Sequence, residues 1–90
     1  MKTIWKFPIL RTDEQKINIP IDAKLLSVQM QNGQPCLWAI VDPDVQTETR
    51  AIGIIGTGNP CWCAEWDFVG TVADGPFMWH VFAEKSCYDA

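Results

Sequence analysis

Helical periodicity is missing from this sequence, and so is any run of about 18 consecutive apolar residues, the length a helix needs to cross a bilayer. Basic charge is scarce as well. Seven lysines and arginines stand against eleven acidic residues, a net charge of −4. Recognition of nucleic acid through its phosphates needs a basic surface, so that class of function is not expected. The acidic excess is also too small for a DNA mimic. Duplex DNA carries a charge about every 1.7 Å, so a ~30 Å mimic needs well over ten net negatives. The charge reads as solubility.

Other absences remove further classes. The glycines Gly53, Gly56 and Gly58 follow a run of isoleucines, yet Asn59-Pro60-Cys61-Trp62 comes next and leaves no room for the helix that would present its amides to a phosphate. No Gly-Lys-Ser/Thr occurs. His80 is the only histidine, and Ser27, Ser86 and Thr57 have no identifiable base and orienting group. The stretch "DPD", Asp42 to Asp44, lacks the alternating ligands and closing glutamate of a calcium loop and reads as a turn. Repeats, low-complexity tracts and linkers are missing too, so one domain over residues 1–90 is expected. The start, "MKTIWKFPILRTDEQ", is interrupted by Lys6, Pro8 and Arg11 and has no continuous apolar segment of a secretory signal. The expected location is the cytoplasm.

Four cysteines are present: Cys36, Cys61, Cys63 and Cys87. In a reducing compartment free thiols are the default. "CWC" separates two thiols by one residue, whereas zinc knuckles favour two to four and redox pairs two. A cysteine-based metal site from Cys36, Cys61, Cys63 and Cys87, with His80 as a further ligand, stays open as an alternative, because nothing in the spacing forbids convergence in space.

What the chain does have is bulk. About half of it is hydrophobic, and five residues are tryptophan: Trp5, Trp38, Trp62, Trp66 and Trp79. A chain of this size buries roughly 60% of its unfolded surface. Each buried aromatic removes about 150–250 Å² from water, so a core forms without a metal or a staple. Short runs of Ile, Val, Trp and Phe alternate with Gly, Pro, Asn and Asp, and predict seven strands at about residues 3–10, 16–19, 24–31, 35–42, 50–56, 68–72 and 77–84. That pattern indicates an all-β fold, a small antiparallel sandwich or partly open barrel.

Asn32-Gly33 is the preferred dipeptide of a two-residue type I′ hairpin, since both positions need positive φ. Counting outward pairs Gln31 with Gln34, Val28 with Leu37 and Leu26 with Ala39. Leu26, Val28, Met30, Leu37, Ala39 and Val41 then form a core face. Leu25, Ser27, Gln29, Cys36, Trp38 and Ile40 form a mixed face, to be covered by a second layer or offered to a partner. In the last strand Phe77, Trp79, Val81 and Ala83 point one way, and Met78, His80, Phe82 and Glu84 the other. In the first, Trp5, Phe7 and Ile9 oppose Ile4, Lys6 and Pro8, and Pro8 marks an edge or an end.

Several stretches in order, "MKTIWKFPI", "AKLLSVQMQNGQPCLWAIVDP", "GTGNP" and "HVFAE", resemble a family of small proteins of roughly 80–100 residues encoded by phages, prophages and some bacteria. The resemblance implies a compact β domain, a viral or mobile-element origin and a bacterial host cytoplasm. It carries no catalytic residues.

The expected function is non-enzymatic, without a cofactor: binding of another protein, a host or defence component, with Trp38, Trp62 and Trp66 as contacts, since tryptophan anchors interfaces. Self-association through a sheet edge is a related alternative. A small enzyme using Glu65, Asp67 or His80 is a third. The segment Gly56–Trp66, "GTGNPCWCAEW", is expected to be a structured loop that packs a tryptophan on the sheet, with cysteines acting as small apolar residues.

Overall fold

Alternation of large apolar and small polar side chains produces seven strands in the computed structural model, which describes residues 1–86: β1 (Thr3–Pro8), β2 (Glu14–Pro20), β3 (Lys24–Gln31), β4 (Gln34–Val41), β5 (Thr47–Gly56), β6 (Asp67–Asp74) and β7 (Phe77–Ala83). They build two antiparallel sheets, one in the order β1-β4-β3 and one in the order β2-β5-β7-β6. The fold is an all-β sandwich, as the sequence pattern indicates. All seven expected strands are found. β2 starts two residues earlier than its apolar run and β5 three, because main-chain pairing continues through polar residues.

One face of each sheet makes the core. Val28 and Leu37 from the three-stranded sheet meet Ile52, Ile54, Val72, Val81 and Ala83 from the four-stranded one, with Ile9 closing one side. A second cluster holds Ile19, Ala23, Ala39 and Val41, and Phe7, Ile17 and Leu25 pack against both. Each fully buried Ile, Leu or Val contributes about 1.5–3 kcal/mol. The sheets come closest along the edge strands β3 and β6. A Cβ on Gly70 would lie 3.0 Å from Val28 Cγ1, so only glycine lets the strands approach this far without displacement.

The hairpin forms as its dipeptide dictates. Asn32 and Gly33 have φ of 51° and 77°, Gln31 pairs with Gln34, and Val28 pairs with Leu37. Further out the expected register fails. A bulge between Leu25 and Ser27 inserts one residue, so Leu25, not Leu26, stands opposite Ala39. Leu25 enters the core and Leu26 is turned out to solvent, 41% exposed. A bulge reverses the face of every residue beyond it, and local spacing does not reveal it. The mixed face is corrected too. The second sheet covers the Val28–Leu37 face, and the face carrying Trp38 and Ile40 is the outer surface of the three-stranded sheet. Pro8 ends β1, which is an edge strand.

Two arginines close the ends of the sandwich. Arg11, in the loop between β1 and β2, binds Asp74 at the end of β6 and donates from Nη2 to the carbonyl of Gly33 in the hairpin turn at 2.6 Å. The same carboxylate accepts from the Trp79 indole at 3.0 Å, and the Trp79 ring stacks on Phe77 at 5.2 Å. At the opposite end lies Arg50, the only charged side chain buried among the described residues. It donates to the carbonyls of Ala23 and Glu84, tying the start of β3 to the chain beyond β7.

Two outcomes test these devices. Gly33→Ala keeps every contact but forces a Cβ into left-handed backbone, and is expected to lower stability by about 1 kcal/mol in urea unfolding. The Arg11 guanidinium, and after it the Trp79 indole, hold Asp74 below the usual carboxylate range. A lowered folded value means the stabilisation is present above the unfolded value of about 3.9 and is lost as pH falls through the folded one. Asp74→Asn should therefore flatten the acid limb of a stability profile between about pH 2 and 5.

Candidate functional site

The site is built from the end of β5 outward. Ile52 and Ile54 point into the core, so Ala51, Gly53 and Ile55 face the outer side of the four-stranded sheet. Register puts Phe82 beside Gly53 and Phe68 beside Phe82 on that side. After Gly56 the chain turns back over this face. Asn59 N–H donates to the Gly56 carbonyl at 3.1 Å, and Gly58 at φ 89° supplies the positive φ of the turn. "GTGNP" is thus a turn that ends a strand, as its composition suggests.

The following residues are the lid on Gly53. A Cβ on Gly53 would lie 2.7 Å from Cys63 Sγ and 3.2 Å from the Trp62 ring, so the absence of a side chain there makes the seat for both. Cys63 is 1% exposed and behaves as the small apolar residue the sequence suggests. Burial, helped by the adjacent Cys61, pushes its thiol above the ordinary value. Cys61, expected in the same small apolar role, is instead exposed, because the chain at that point has not yet turned down onto Gly53. A turn at 62–65, closed by Trp66 N–H to the Cys63 carbonyl at 3.0 Å, carries Trp62 and Trp66 into edge-to-face contact at 5.2 Å. No helix forms there.

Four aromatic rings therefore lie on the outer face as two pairs on either side of Gly53. Phe68 and Phe82 meet edge-on at 5.3 Å, Phe82 neighbours Gly53, and Trp62 covers Gly53 and touches Trp66. Phe68 is 60% exposed and Trp62 49%. Next to these pairs, His80 is held at both ring nitrogens, Nε2 by the Thr57 hydroxyl at 2.8 Å and Nδ1 by Thr71 at 3.0 Å. Thr57 belongs to the loop, so His80 also pins the loop to the sheet.

The residues singled out by sequence divide between the two outer faces. Trp62 and Trp66 come together. Trp38 does not join them. It lies half-buried on the outside of the three-stranded sheet, paired with Lys6 and Ser27 and next to Ile4 and Ile40. Cys36 is on that same outer side, paired with Pro8, while Cys63 sits at Gly53 beyond the other sheet, so the core separates them. Cys87 lies outside the described residues. Among the described residues no group of three or more histidines, cysteines or carboxylates is placed to hold a metal ion. Glu65 is exposed, Asp67 pairs with Lys85 at 2.5 Å, and His80 faces hydroxyls rather than a carboxylate.

Phe68 and Phe82 were not expected at a site. The alternation in β7 places Phe82 outward with His80, and that parity was the available signal. The bulge between Phe68 and Gly70 hides the corresponding signal in β6.

The seat of Cys63 has a measurable consequence. A thiol reagent should label Cys61 quickly and Cys63 slowly. Gly53→Ala should lift the turn and speed labelling of Cys63 by roughly tenfold, the equivalent of about 1.4 kcal/mol of local opening. Because the folded value of Cys63 is raised, its contribution is complete below the unfolded thiol value of about 8.5 and is lost as pH rises through the folded one. An alkaline change in tryptophan fluorescence that disappears in Cys63→Ala would show it.

Residues 1–88 match the model of a family described as a domain of unknown function, DUF7352. No curated protein and no solved structure matches the chain.

Proposed function

This chain belongs to the DUF7352 family, and we propose that it works without catalysis, by binding another protein through the outer face of its four-stranded sheet. The observation that carries the reading is the presence on one outer face of two aromatic pairs, Phe68–Phe82 and Trp62–Trp66, two of whose rings are about half exposed or more. Contiguous exposed aromatics mark interaction surfaces on soluble domains, and tryptophan is over-represented among residues that dominate binding energy. The loop that presents Trp62 and Trp66 is fixed by Cys63 at Gly53 and by Thr57 at His80, so little ordering entropy is lost on docking. The ordered stretches that resemble phage and prophage proteins support a component of the bacterial host cytoplasm as the partner.

Self-association through β1 is less well supported. That edge ends in Pro8, which has no N–H, and carries Lys6 at its middle, two devices that discourage strand addition. The cysteine metal site is weakened by the position of Cys36 on the far side of the core. Trp38 is a weaker contact for the same reason: it lies on the other surface from Trp62 and Trp66.

The test is capture of a partner from a bacterial lysate with the full chain, followed by affinity measurement. Trp62→Ala and Phe68→Ser are each expected to weaken binding by about tenfold or more with unchanged circular dichroism. Phe68→Ser is the cleaner variant, because that ring is the more exposed. Unaltered affinity in both variants would refute the proposal.

A further inference from the structure

At the end of the sandwich where β3 and β6 begin, the sheets part around a cavity of about 250 Å³. Bulges shape it on both sides. The register shifts in β3 between Leu25 and Ser27 and in β6 between Phe68 and Gly70, and Leu25, Phe68 and Val69 line the cavity. Both strands are sheet edges, where bulges interrupt the ladder and re-aim side chains. One wall is therefore apolar.

The rest of the lining is polar and carries both signs of charge, Asp22 and Asp67 as well as two basic residues. The basic residues are Lys24 and Arg50, and Arg50 is only 4% exposed. Its guanidinium makes three hydrogen bonds, all to main-chain carbonyls, of Ala23 at 3.1 Å and of Glu84 at 3.1 and 2.8 Å. A guanidinium has five N–H donors, so two are left over. No carboxylate of the described residues is ion-paired with it. Both carboxylates of the lining, Asp22 and Asp67, are exposed, and the other acidic groups nearby are hydrogen-bonded. Asp67 pairs with Lys85, Glu48 accepts from the Ser86 hydroxyl, and the Glu84 carboxylate accepts from Ala51 N–H. A buried cation whose partners are all neutral is costly, and an anion brought into the same low-dielectric space relieves that cost.

We infer that this cavity binds a carboxylate attached to a short apolar body, with the carboxylate on the free donors of Arg50 beside Lys24 and the apolar part against Leu25, Phe68 and Val69. The apolar wall distinguishes this ligand from a bare inorganic anion. The inference stands apart from the aromatic pairs, although Phe68 borders both.

Titration of the full chain with butyrate, followed by amide NMR, tests it. Saturable shifts are expected at Lys24, Leu25, Phe68 and Val69, with none from butyramide at the same concentrations. Arg50→Gln should weaken binding by tenfold or more. That change also removes the bonds to Ala23 and Glu84, so Val69→Trp, which fills the cavity and leaves Arg50 intact, is the independent arm and should give the same loss. Trp62→Ala should leave butyrate binding unchanged, which separates this site from the proposed protein interface. An acetylated, amidated tripeptide with a central glutamate is the second probe. Its preference over butyrate assigns the carboxylate to a protein side chain, and the reverse order assigns it to a free acid. Absence of saturable shifts from either probe, an equal response to butyramide, tighter binding of inorganic phosphate, or full binding by Val69→Trp would overturn the inference.

Discussion

A single layer of interlocked side chains holds the two sheets together, and nearly everything else in the molecule follows from that. Val28 and Leu37 press on Ile52, Ile54 and Val81, and the whole structure is only 16 Å along its shortest axis. With one buried layer available, each sheet has one face in the core and one face left over. The leftover faces take different roles. The outside of the three-stranded sheet is finished with Lys6, Gln29 and Gln31 around Trp38 and Cys36, with Lys6 Nζ donating to Gln31 at 2.7 Å. The outside of the four-stranded sheet is instead overlaid by its own β5–β6 connection.

That overlay depends on a missing side chain. Gly53 stands in the middle of β5, where a β-branched residue would favour the strand. Its lack of a Cβ creates the hollow that accepts Cys63 and the edge of Trp62. The weakened strand propensity is offset by burial of a sulfur, by contact with the edge of an indole, and by the bonds of His80 to Thr57 and Thr71 on either side. The same choice that anchors the loop also sets the tryptophans on the face that carries Phe82 and Phe68. Surface chemistry and local backbone geometry are thus two results of one substitution pattern.

Charge is used sparingly and at the ends. Arg11 gathers the hairpin turn, the end of β6 and the Trp79 ring around one carboxylate, in reach of solvent. Arg50 does related work in the interior with carbonyls alone. The two differ in a physically important way. An exposed pair is screened and inexpensive to form, whereas the buried guanidinium is ion-paired with no carboxylate of the described residues and is held by main-chain carbonyls. The paired bulges of β3 and β6 leave space beside the second arginine.

The sequence by itself determined the class, the seven strands, the tight turn at Asn32-Gly33 and the division of β7 into two faces. These rest on period-two alternation and on residues with special backbone freedom, both of which act within a few positions of the chain. It also indicated a turn at "GTGNP" and an apolar role for both cysteines of "CWC", which holds for Cys63 and fails for the exposed Cys61. Tertiary structure alone decided the rest. The bulge that exchanges Leu25 for Leu26 answers to the fit between β3 and β6, not to the spacing within β3. The split of the cysteines and tryptophans between opposite surfaces depends on which face of each sheet is buried, a choice made only when the sheets meet. Arg11 and Arg50 gave no local signal, because their partners lie in loops and strands distant in sequence. Contacts closed across such separations are set by packing in space, and no periodicity in the chain encodes them.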